Sequence, residues 1–393
     1  MSLPSSHKRG DIENQNFANE VYNYDWSSTP LGSMDTWDPA IKTATSLCLK
    51  SVFPICLFIG PPHWIQLYNK AWEPIFQSKP YALGKSFKET WPEVYDVITP
   101  LFESVRTTKK GIYRKEDYYE LHRDGYTEET YFDYTYSPVF KLDGSVYAII
   151  TIAQETTQKV LNARRLKILG EFGRRMPEIE SLENSSRIAT EVLSNNKDIT
   201  YALIYIVESR LNAGSKSIIA RLASTTFDED DKKEYQFPDY FPDTPKIIDL
   251  SKDVDKSYNY KYITLKRHVA TYSFVKCDES WPLDLVIKEG KHIKVLLKDG
   301  SQVVLLLANS FCGDQTLSAI LICGINRLRT LDEKYMEFLQ LAVNQMNTCL
   351  LQGKTREEEK NRAKLLADLN FQKVSFFQGI SHELKSILFV LIP

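Results

Sequence analysis

The sequence predicts an α+β protein in which two antiparallel-sheet domains are followed by a long coiled-coil-type helix. Three observations favour this class and this order. Strand-length apolar segments punctuated by Asp-Gly pairs occupy residues 45–155, and a second set of such segments occupies residues 178–350. An almost wholly charged run at 354–364 is then followed by apolar residues at heptad spacing.

Length and charge limit the kinds of protein that this chain can be. Its 393 residues correspond to two or three domains, at roughly 150 residues per domain. The net charge of -2 argues against a nucleic-acid-binding protein, which would carry a basic excess. No apolar run approaches the roughly 18 residues of a membrane helix, and residues 1–15 lack the apolar segment of a secretory signal. We therefore predict a cytoplasmic protein without a membrane span.

The cysteines are scattered and form no CxxC pair, which argues against a zinc site and against a disulfide framework. We predict reduced thiols and no metal. The six positions are Cys48, Cys56, Cys277, Cys312, Cys323 and Cys349.

Turns and alternation define the first domain. Asp124-Gly125 and Asp143-Gly144 supply residues that accept the positive φ of tight turns. Between them, Phe132, Tyr134 and Tyr136 alternate with polar or smaller residues, which predicts a strand with one buried face. Strands are also expected at 112–122 and 146–153, and two more at 53–60 and 65–68. Prolines between residues 70 and 105 allow only short helices.

The second domain follows a connecting helix predicted at 164–175. Strands are expected at 201–207 and 217–222, which should pair, and at 293–297, 303–308 and 317–325. The acidic, proline-rich stretch 227–255 is predicted to be a surface excursion. Thr330 and Glu333 have the spacing of a capping box, after which a helix should present Tyr335, Phe338 and later apolar residues on one side.

The C-terminal segment has an a/d heptad seam, with apolar residues separated by three, four, three and four positions. The seam residues are Phe377, Ile380, Leu384, Ile387 and Leu391. In this register His382 takes the f position, which points away from the seam. Glu383 lies beside it, and Ser386, four residues on, shares its face. An exposed histidine beside a glutamate is common on protein surfaces, so spacing alone does not assign it a role.

The segment FFQGISHELKSIL, residues 376–388, resembles the H-box of the dimerisation and phosphoacceptor domain of sensor histidine kinases. The resemblance implies that His382 is the phosphoacceptor and that Glu383 is its acid-base partner. It also implies that Ser386 helps to orient water in the reverse phosphatase reaction. Ile387 replaces the family's proline, so the helix is expected to be straighter. Because the sequence stops at Pro393, before an ATP-binding domain, we expect no autophosphorylation by this chain alone.

Tyr24-Asp25-Trp26 and the segment FPICLFIGPPHW at 53–64 are the basis on which residues 24–158 resemble a PAS domain. The closing strand and helix at 320–351 are the basis on which residues 178–352 resemble a GAF domain. Together with the H-box this is the layout of a cytosolic hybrid sensor histidine kinase. The predicted divisions are a polar tail (1–23), the PAS-like domain (24–158), a connecting helix (159–177), the GAF-like domain (178–352), a charged signalling helix (353–372) and a partial phosphoacceptor helix (373–393). The sequence does not identify the sensory ligand. Asn69-Lys70-Ala71-Trp72 lacks the reactive cysteine of a flavin-type PAS domain.

The resemblance implies a phosphorelay protein that works as a homodimer with a response-regulator receiver domain. ATP and Mg²⁺ are expected only for the ATP-binding domain, and no cofactor is expected in this chain. The alternative is a non-catalytic modulator that dimerises with full-length kinases, or a gene-model fragment without independent activity. A third hypothesis, thiol catalysis in the GAF-like pocket, would need a resolving cysteine pair, and Cys277, Cys312 and Cys323 show no such pattern.

Overall fold

The computed structural model describes residues 5–194, 196–212, 215–227, 240–251, 260–267, 270–277, 279–312 and 315–391. Within these ranges the side chains are described except at 5–12, 209–212, 215–216, 266–267, 270, 310–312, 315–316 and 382–391. The chain forms two compact units. The first consists of Met1–Arg164, Leu265–Tyr272 and Arg327–Thr330, and the second of the remaining segments.

The described chain is an α+β protein in which groups of helices and groups of strands follow one another. The helices are α1 (Ser5–Asn23), α2 (Pro39–Lys50), α3 (Glu73–Phe76), α4 (Phe87–Thr90), α5 (Tyr95–Thr108), α6 (Thr157–Arg175), α7 (Leu182–Ser194), α8 (Leu283–Glu289) and α9 (Glu333–Leu391). The strands are β1 (Ile55–Ile59), β2 (Ile65–Tyr68), β3 (Ile112–Arg123), β4 (Tyr126–Phe140), β5 (Val146–Glu155), β6 (Ile199–Asn212), β7 (Ser215–Thr225), β8 (Ile247–Asp249), β9 (Tyr262–Arg267), β10 (Ala270–Lys276), β11 (Ile293–Leu296), β12 (Gln302–Cys312) and β13 (Gln315–Ile325).

The described strands of the first unit form a five-stranded antiparallel sheet in the order β2-β1-β5-β4-β3. The predicted meander is confirmed, and so are its turns: Gly125 and Gly144 have φ of 79° and 78°. A residue with a Cβ is strained at such angles, whereas glycine is not. The predicted alternation in β4 is also confirmed, because Phe132, Tyr134 and Tyr136 are buried while the residues between them are half-buried.

Aromatic rings dominate the core between this sheet and helices α3 to α5. Phe102 of α5 is fully buried, and its ring centroid lies 4.8 Å from that of Phe58 and 4.9 Å from that of Tyr136. Trp64 also contacts Phe102, with centroids 5.3 Å apart. Offset and edge-on contacts of this kind add stabilisation beyond the area they bury.

The N-terminal segment is more structured than the polar tail that the sequence suggests. Helix α1 extends from Ser5 to Asn23, and its Phe17 and Val21 are buried in the core of the first unit. Phe17 lies against Tyr68, with ring centroids 5.5 Å apart. Two apolar residues one turn apart are enough to attach a mostly polar helix.

A second sheet has its described strands in the order β8-β7-β6-β13-β12-β11-β10-β9. Strands β10 and β11 run parallel, whereas the strands from β11 through β12, β13, β6 and β7 to β8 pair antiparallel. The predicted pairing of β6 with β7 is confirmed. The sequence predicts a surface excursion over residues 227–255. For part of the described stretch this prediction is wrong, because Leu250 is buried and Phe227 and Phe241 pack on the core.

Helix α9 begins at Glu333, and its first five turns pack on helix α7 and strands β12 and β13 of the second unit. The predicted capping box is wrong: Asp332 is the cap, and its Oδ1 accepts a hydrogen bond from the Tyr335 amide at 2.8 Å. A carboxylate at this position satisfies an otherwise unpaired amide and interacts well with the helix dipole. Gly353 allows the close approach of α7, because a Cβ there would collide with the Ser181 carbonyl and the Ser185 hydroxyl.

Among the described residues, no helix combines the length and the apolar character needed to cross a membrane.

We predict that Phe102→Ala destabilises the first unit by about 3–5 kcal/mol, because it opens a cavity among rings that cannot close around it. The matched control is Val97→Ala on the same helix, whose side chain is 60% exposed and should change stability by less than about 0.5 kcal/mol. Urea denaturation followed by tryptophan fluorescence measures this unit, because Trp281 is the one tryptophan outside it. Equal losses in the two variants would contradict the assigned packing.

Candidate functional site

A pocket of about 70 Å³ lies against the aromatic core of the first unit. Its wall is built by residues of β1, β3, β4 and β5 and by the helical segments between β2 and β3. The lining residues are Phe58, Trp72, Ile75, Phe87, Trp91, Val94, Ile98, Tyr119, Leu121, Phe132, Tyr134, Tyr136, Thr151 and Ala153. All of these side chains are uncharged, and eight of them are aromatic.

Two tyrosines on the wall share one carboxylate. The hydroxyls of Tyr119 and Tyr134 lie 2.6 Å apart, and each donates to Oδ2 of Asp117, at 3.0 Å and 2.8 Å. Burial raises the pKa of both tyrosines well above the ordinary value, with a further contribution from the neighbouring Asp117. Both hydroxyls therefore remain protonated at neutral pH and act as donors.

Two further polar groups on the wall have no hydrogen-bond partner among the described residues. They are the indole Nε1 of Trp72 and the hydroxyl of Thr151. Trp72 is 5% exposed and Thr151 is 2% exposed, so neither group is turned to bulk solvent. A buried unpaired donor costs about 1–3 kcal/mol. By contrast, the indole of Trp91, on the same wall, donates to Gln66 Oε1 at 3.0 Å.

A fully buried arginine joins the pocket wall to the start of helix α6. Arg123 donates to the carbonyl oxygen of Ile75, a wall residue, at 3.0 Å. The same guanidinium binds both carboxylate oxygens of Glu155, at 3.0 Å and 3.2 Å, and also binds Glu128. The hydroxyl of Thr157, the first residue of α6, donates to Glu155 at 2.7 Å. Polar contacts thus run without interruption from the wall to the helix that leaves this unit.

A second ion pair holds α6 against the sheet. Arg164 binds the two carboxylate oxygens of Glu129 on β4, at 2.8 Å and 3.2 Å. Burial by itself would raise the pKa of Glu129, but the hydrogen bonds and charge of Arg164 outweigh it and lower this pKa. The carboxylate is therefore ionised at neutral pH, and the pair fixes the orientation of α6 over its first two turns.

The predicted phosphoacceptor residues fall at the end of helix α9. The backbone is helical through His382, Glu383 and Ser386, while these side chains lie outside the part of the chain whose side chains the structure describes. The same holds for three seam residues, Leu384, Ile387 and Leu391. The structure therefore does not test the geometry around His382.

The described part of the seam is open to solvent. Phe377 is 59% exposed and Ile380 is 38% exposed. Other large apolar side chains of the same stretch are exposed too, namely Leu365, Leu366, Leu369, Phe371, Val374 and Phe376. Residues 357–381 are all exposed.

Sequence reasoning found the apolar faces of the first unit but missed the polar features of its pocket. The sequence distinguished Trp72 only as part of a segment that lacks the reactive cysteine of a flavin-type PAS domain. Arg123 and Glu155 lie at the ends of predicted strands, and a charged residue beside an apolar strand is usually solvent-exposed. Because their pairing spans 32 positions, no local pattern could have revealed it.

No protein-family model matches this chain, and no curated protein matches it. Solved structures do match. A sensory box sensor histidine kinase from Vibrio cholerae is 15% identical, covering 31% of this chain and 98% of that chain, with a TM-score of 0.21. The phycoerythrobilin-bound GAF domain of a cyanobacterial phytochrome is 13% identical, covering 48% and 95%, with a TM-score of 0.28.

The photosensory core module of Stigmatella aurantiaca phytochrome is 11% identical, covering 80% of this chain and 60% of that chain, with a TM-score of 0.30. At these identities and TM-scores the similarities carry no argument about function, which has to come from the residues themselves.

We predict that Arg123→Met destabilises the first unit by about 3–5 kcal/mol, because it leaves the buried carboxylate of Glu128 without its cation and also removes the pair with Glu155. The control Arg106→Met removes an exposed pair with Glu103 and should cost less than about 1 kcal/mol. Urea denaturation followed by tryptophan fluorescence compares the two. Arg123→Met as stable as the control would show that the buried network is not needed.

Proposed function

We propose that this chain is the sensory and phosphoacceptor part of a two-component phosphorelay histidine kinase. In this proposal the first unit is a PAS-like sensor and the second is a GAF-like sensor. Helix α9 carries their conformational state to His382. The chain acts with an ATP-binding domain, which brings ATP and Mg²⁺, and with a response-regulator receiver domain that takes the phosphoryl group.

The observation that carries the proposal is the continuity of α9. It begins as a packed element of the second unit, with Tyr335, Leu339 and Met346 buried, and continues as one helix through the H-box. From Gly353 to His382 the rise of 1.5 Å per residue gives a length of about 44 Å. A continuous helix transmits rotation or register changes that a flexible linker would lose, and two arrangements a few kcal/mol apart suffice for switching.

The chemistry at His382 follows from its position. A neutral imidazole nitrogen attacks the γ-phosphorus of ATP in line, the N–P bond forms as ADP leaves, and Glu383 takes or orients the ring proton. Ser386, one turn further along the same face, is suited to hold a water for the reverse hydrolysis. The f position keeps this face clear of the dimer seam, so a nucleotide can reach the ring.

The exposed apolar stretch favours a homodimer. Large apolar side chains on an otherwise charged helix are unfavourable in water, and a second copy in parallel register would cover Phe377 and Ile380 together with the seam residues after them. The same feature supports the second candidate function, a non-catalytic modulator that dimerises with full-length kinases. Transfer of phosphate to His382 by a supplied ATP-binding domain distinguishes the two.

We predict that the chain, mixed with the ATP-binding domain of a related histidine kinase, Mg²⁺ and γ-labelled ATP, becomes labelled at His382. The variant His382→Gln should lose the acid-labile label completely, because the amide is not a nucleophile. His63→Gln, which alters an exposed histidine of the first unit, is the control and should be labelled like the parent. Label that persists in His382→Gln would refute the assignment.

We predict that Phe377→Ala weakens the homodimer at least about tenfold, because it removes one seam ring from each copy. Phe371→Ala is the matched control: it deletes the same ring from an exposed position six residues earlier, which the heptad places outside the seam. Sedimentation equilibrium measures both dissociation constants. If the two variants dimerise equally, the proposed register is wrong.

A further inference from the structure

A short connector between helices α6 and α7 contacts helix α9 near the point where α9 becomes exposed. The connector is residues 176–182, which follow the end of α6 at Arg175 and include Leu182, the first residue of α7. The part of α6 from Arg165 onward, the connector, α7 and all of α9 belong to the second unit. The connector and α9 therefore meet within one compact unit.

Side chains of α9 bind the main chain of the connector. Gln352 donates to the carbonyl oxygen of Met176 at 3.3 Å. The guanidinium of Arg356 donates to the carbonyl oxygen of Pro177 at 3.2 Å and also to that of Ile179. A guanidinium presents its donors in a rigid fork, so it holds two acceptors in a set geometry. Because the partners are main-chain atoms, these contacts depend on the backbone conformation of the connector.

Two further features of α9 hold the connector in place. An oxygen of the Glu357 carboxylate accepts a hydrogen bond from the amide of Leu182 at 3.1 Å. A carboxylate is favoured there, because the amides at the start of a helix lack internal partners and carry the positive end of the helix dipole. At Gly353 a Cβ would collide with the carbonyl of Ser181, so the two backbones approach more closely than any other residue would allow.

The end of α6 is bound to the same connector. Arg175 donates to a carboxylate oxygen of Glu178 at 2.6 Å and to one of Glu191 in α7 at 3.0 Å. The side chain of Ile179 is fully buried. A movement of the end of α6 therefore displaces the backbone that Arg356 binds.

Burial along α9 ends at this contact. Leu350 is fully buried and Gly353 is buried, Arg356 is half-buried, and residues 357–381 are all exposed. The connector is thus the last place, along the part of α9 whose side chains are described, where the second unit can hold the helix firmly. From Arg356 to His382 the helix extends about 39 Å, at 1.5 Å per residue.

We propose that the connector and α9 form a clamp that fixes the rotational position of α9, with Arg356 as its positioning residue. Through this clamp the end of α6 sets the rotational position of the helix at His382. The clamp itself is a property of the second unit, whereas its control of phosphate transfer rests on the proposed function. Arg356 does not touch the reacting groups and acts only through the helix.

The physical reason is that a rotation passes along a helix only when its near end is held. Each residue of an α-helix turns the chain by about 100°. With the near end clamped, a change in the number of residues before His382 changes the orientation of the far part relative to the second unit. With the near end released, the far part takes the orientation that its own dimer seam prefers, whatever the number of residues.

Amide hydrogen exchange of the whole chain tests the clamp without phosphate transfer. In Arg356→Ala we expect the amides of residues 178–182 to exchange at least about tenfold faster, because two connector carbonyls lose their shared donor. Arg356→Lys keeps the charge but not the rigid fork, and should give an intermediate rate. The matched control Arg362→Ala removes an exposed arginine of the same helix and should change nothing. The central strands β6 and β12 should exchange alike in all three variants.

Insertions into α9 test whether the clamp sets the rotational position at His382. One alanine between Lys364 and Leu365 rotates the far part by about 100°, whereas seven alanines return it to within about 20°. In the parent we expect the two insertions to differ at least about fivefold in the rate at which a supplied ATP-binding domain labels His382. In Arg356→Ala this difference should fall below about twofold, since the near end is released. Arg356→Lys should restore part of the difference, and Arg362→Ala should retain all of it.

The proposal is overturned if the connector amides exchange equally in Arg356→Ala and Arg362→Ala. It is also overturned if the two insertions label equally in the parent, or if their difference persists in Arg356→Ala. The exchange measurement does not involve His382. Absence of label at His382 in every chain, together with faster exchange in Arg356→Ala, would therefore refute the phosphorelay proposal and leave the clamp intact.

Discussion

The first unit depends on the ion pairs and hydrogen bonds that the buried guanidinium of Arg123 makes. Removing an arginine from water costs several kcal/mol unless its donors are satisfied, and here Glu128, Glu155 and the carbonyl of Ile75 satisfy them. Their positions therefore cannot vary independently. The Arg123 guanidinium holds together the end of β3, the end of β5 and the helical wall of the pocket. Thr157, the first residue of α6, binds Glu155 and is thereby held by the same group.

This arrangement links the wall of the pocket to helix α6 by hydrogen bonds. Arg123 binds the carbonyl of Ile75 in the wall and also binds Glu155, which in turn accepts a hydrogen bond from Thr157 at the start of α6. A displacement of Ile75 therefore reaches α6 through hydrogen bonds. Packed elements joined by directional bonds move between discrete arrangements rather than deforming gradually.

Helix α9 is governed by a different constraint. Its first half is stabilised by burial against the second unit, whereas residues 357–381 are exposed along with their large apolar side chains. Helices without tertiary packing are marginal in water. Pairing with a second copy would both stabilise this half and display the f position, which is the condition that the proposed chemistry at His382 requires.

The sequence by itself determined the features that depend on neighbouring residues. Alternation placed Tyr134 and Tyr136 on the buried face of β4, Asp-Gly pairs placed the turns, and heptad spacing defined the seam through Phe377, because each of these patterns repeats within a few positions. Helix α1 and strands β9 and β10 were missed, since their apolar content is too low to stand out locally. Only the tertiary structure decided that Arg123 meets Glu155, that the indole N–H of Trp72 has no hydrogen-bond partner among the described residues, and that a pocket lies between the sheet and the short helices. These outcomes depend on residues brought together from distant parts of the chain, and on how well their volumes fill the space, which no one-dimensional pattern encodes.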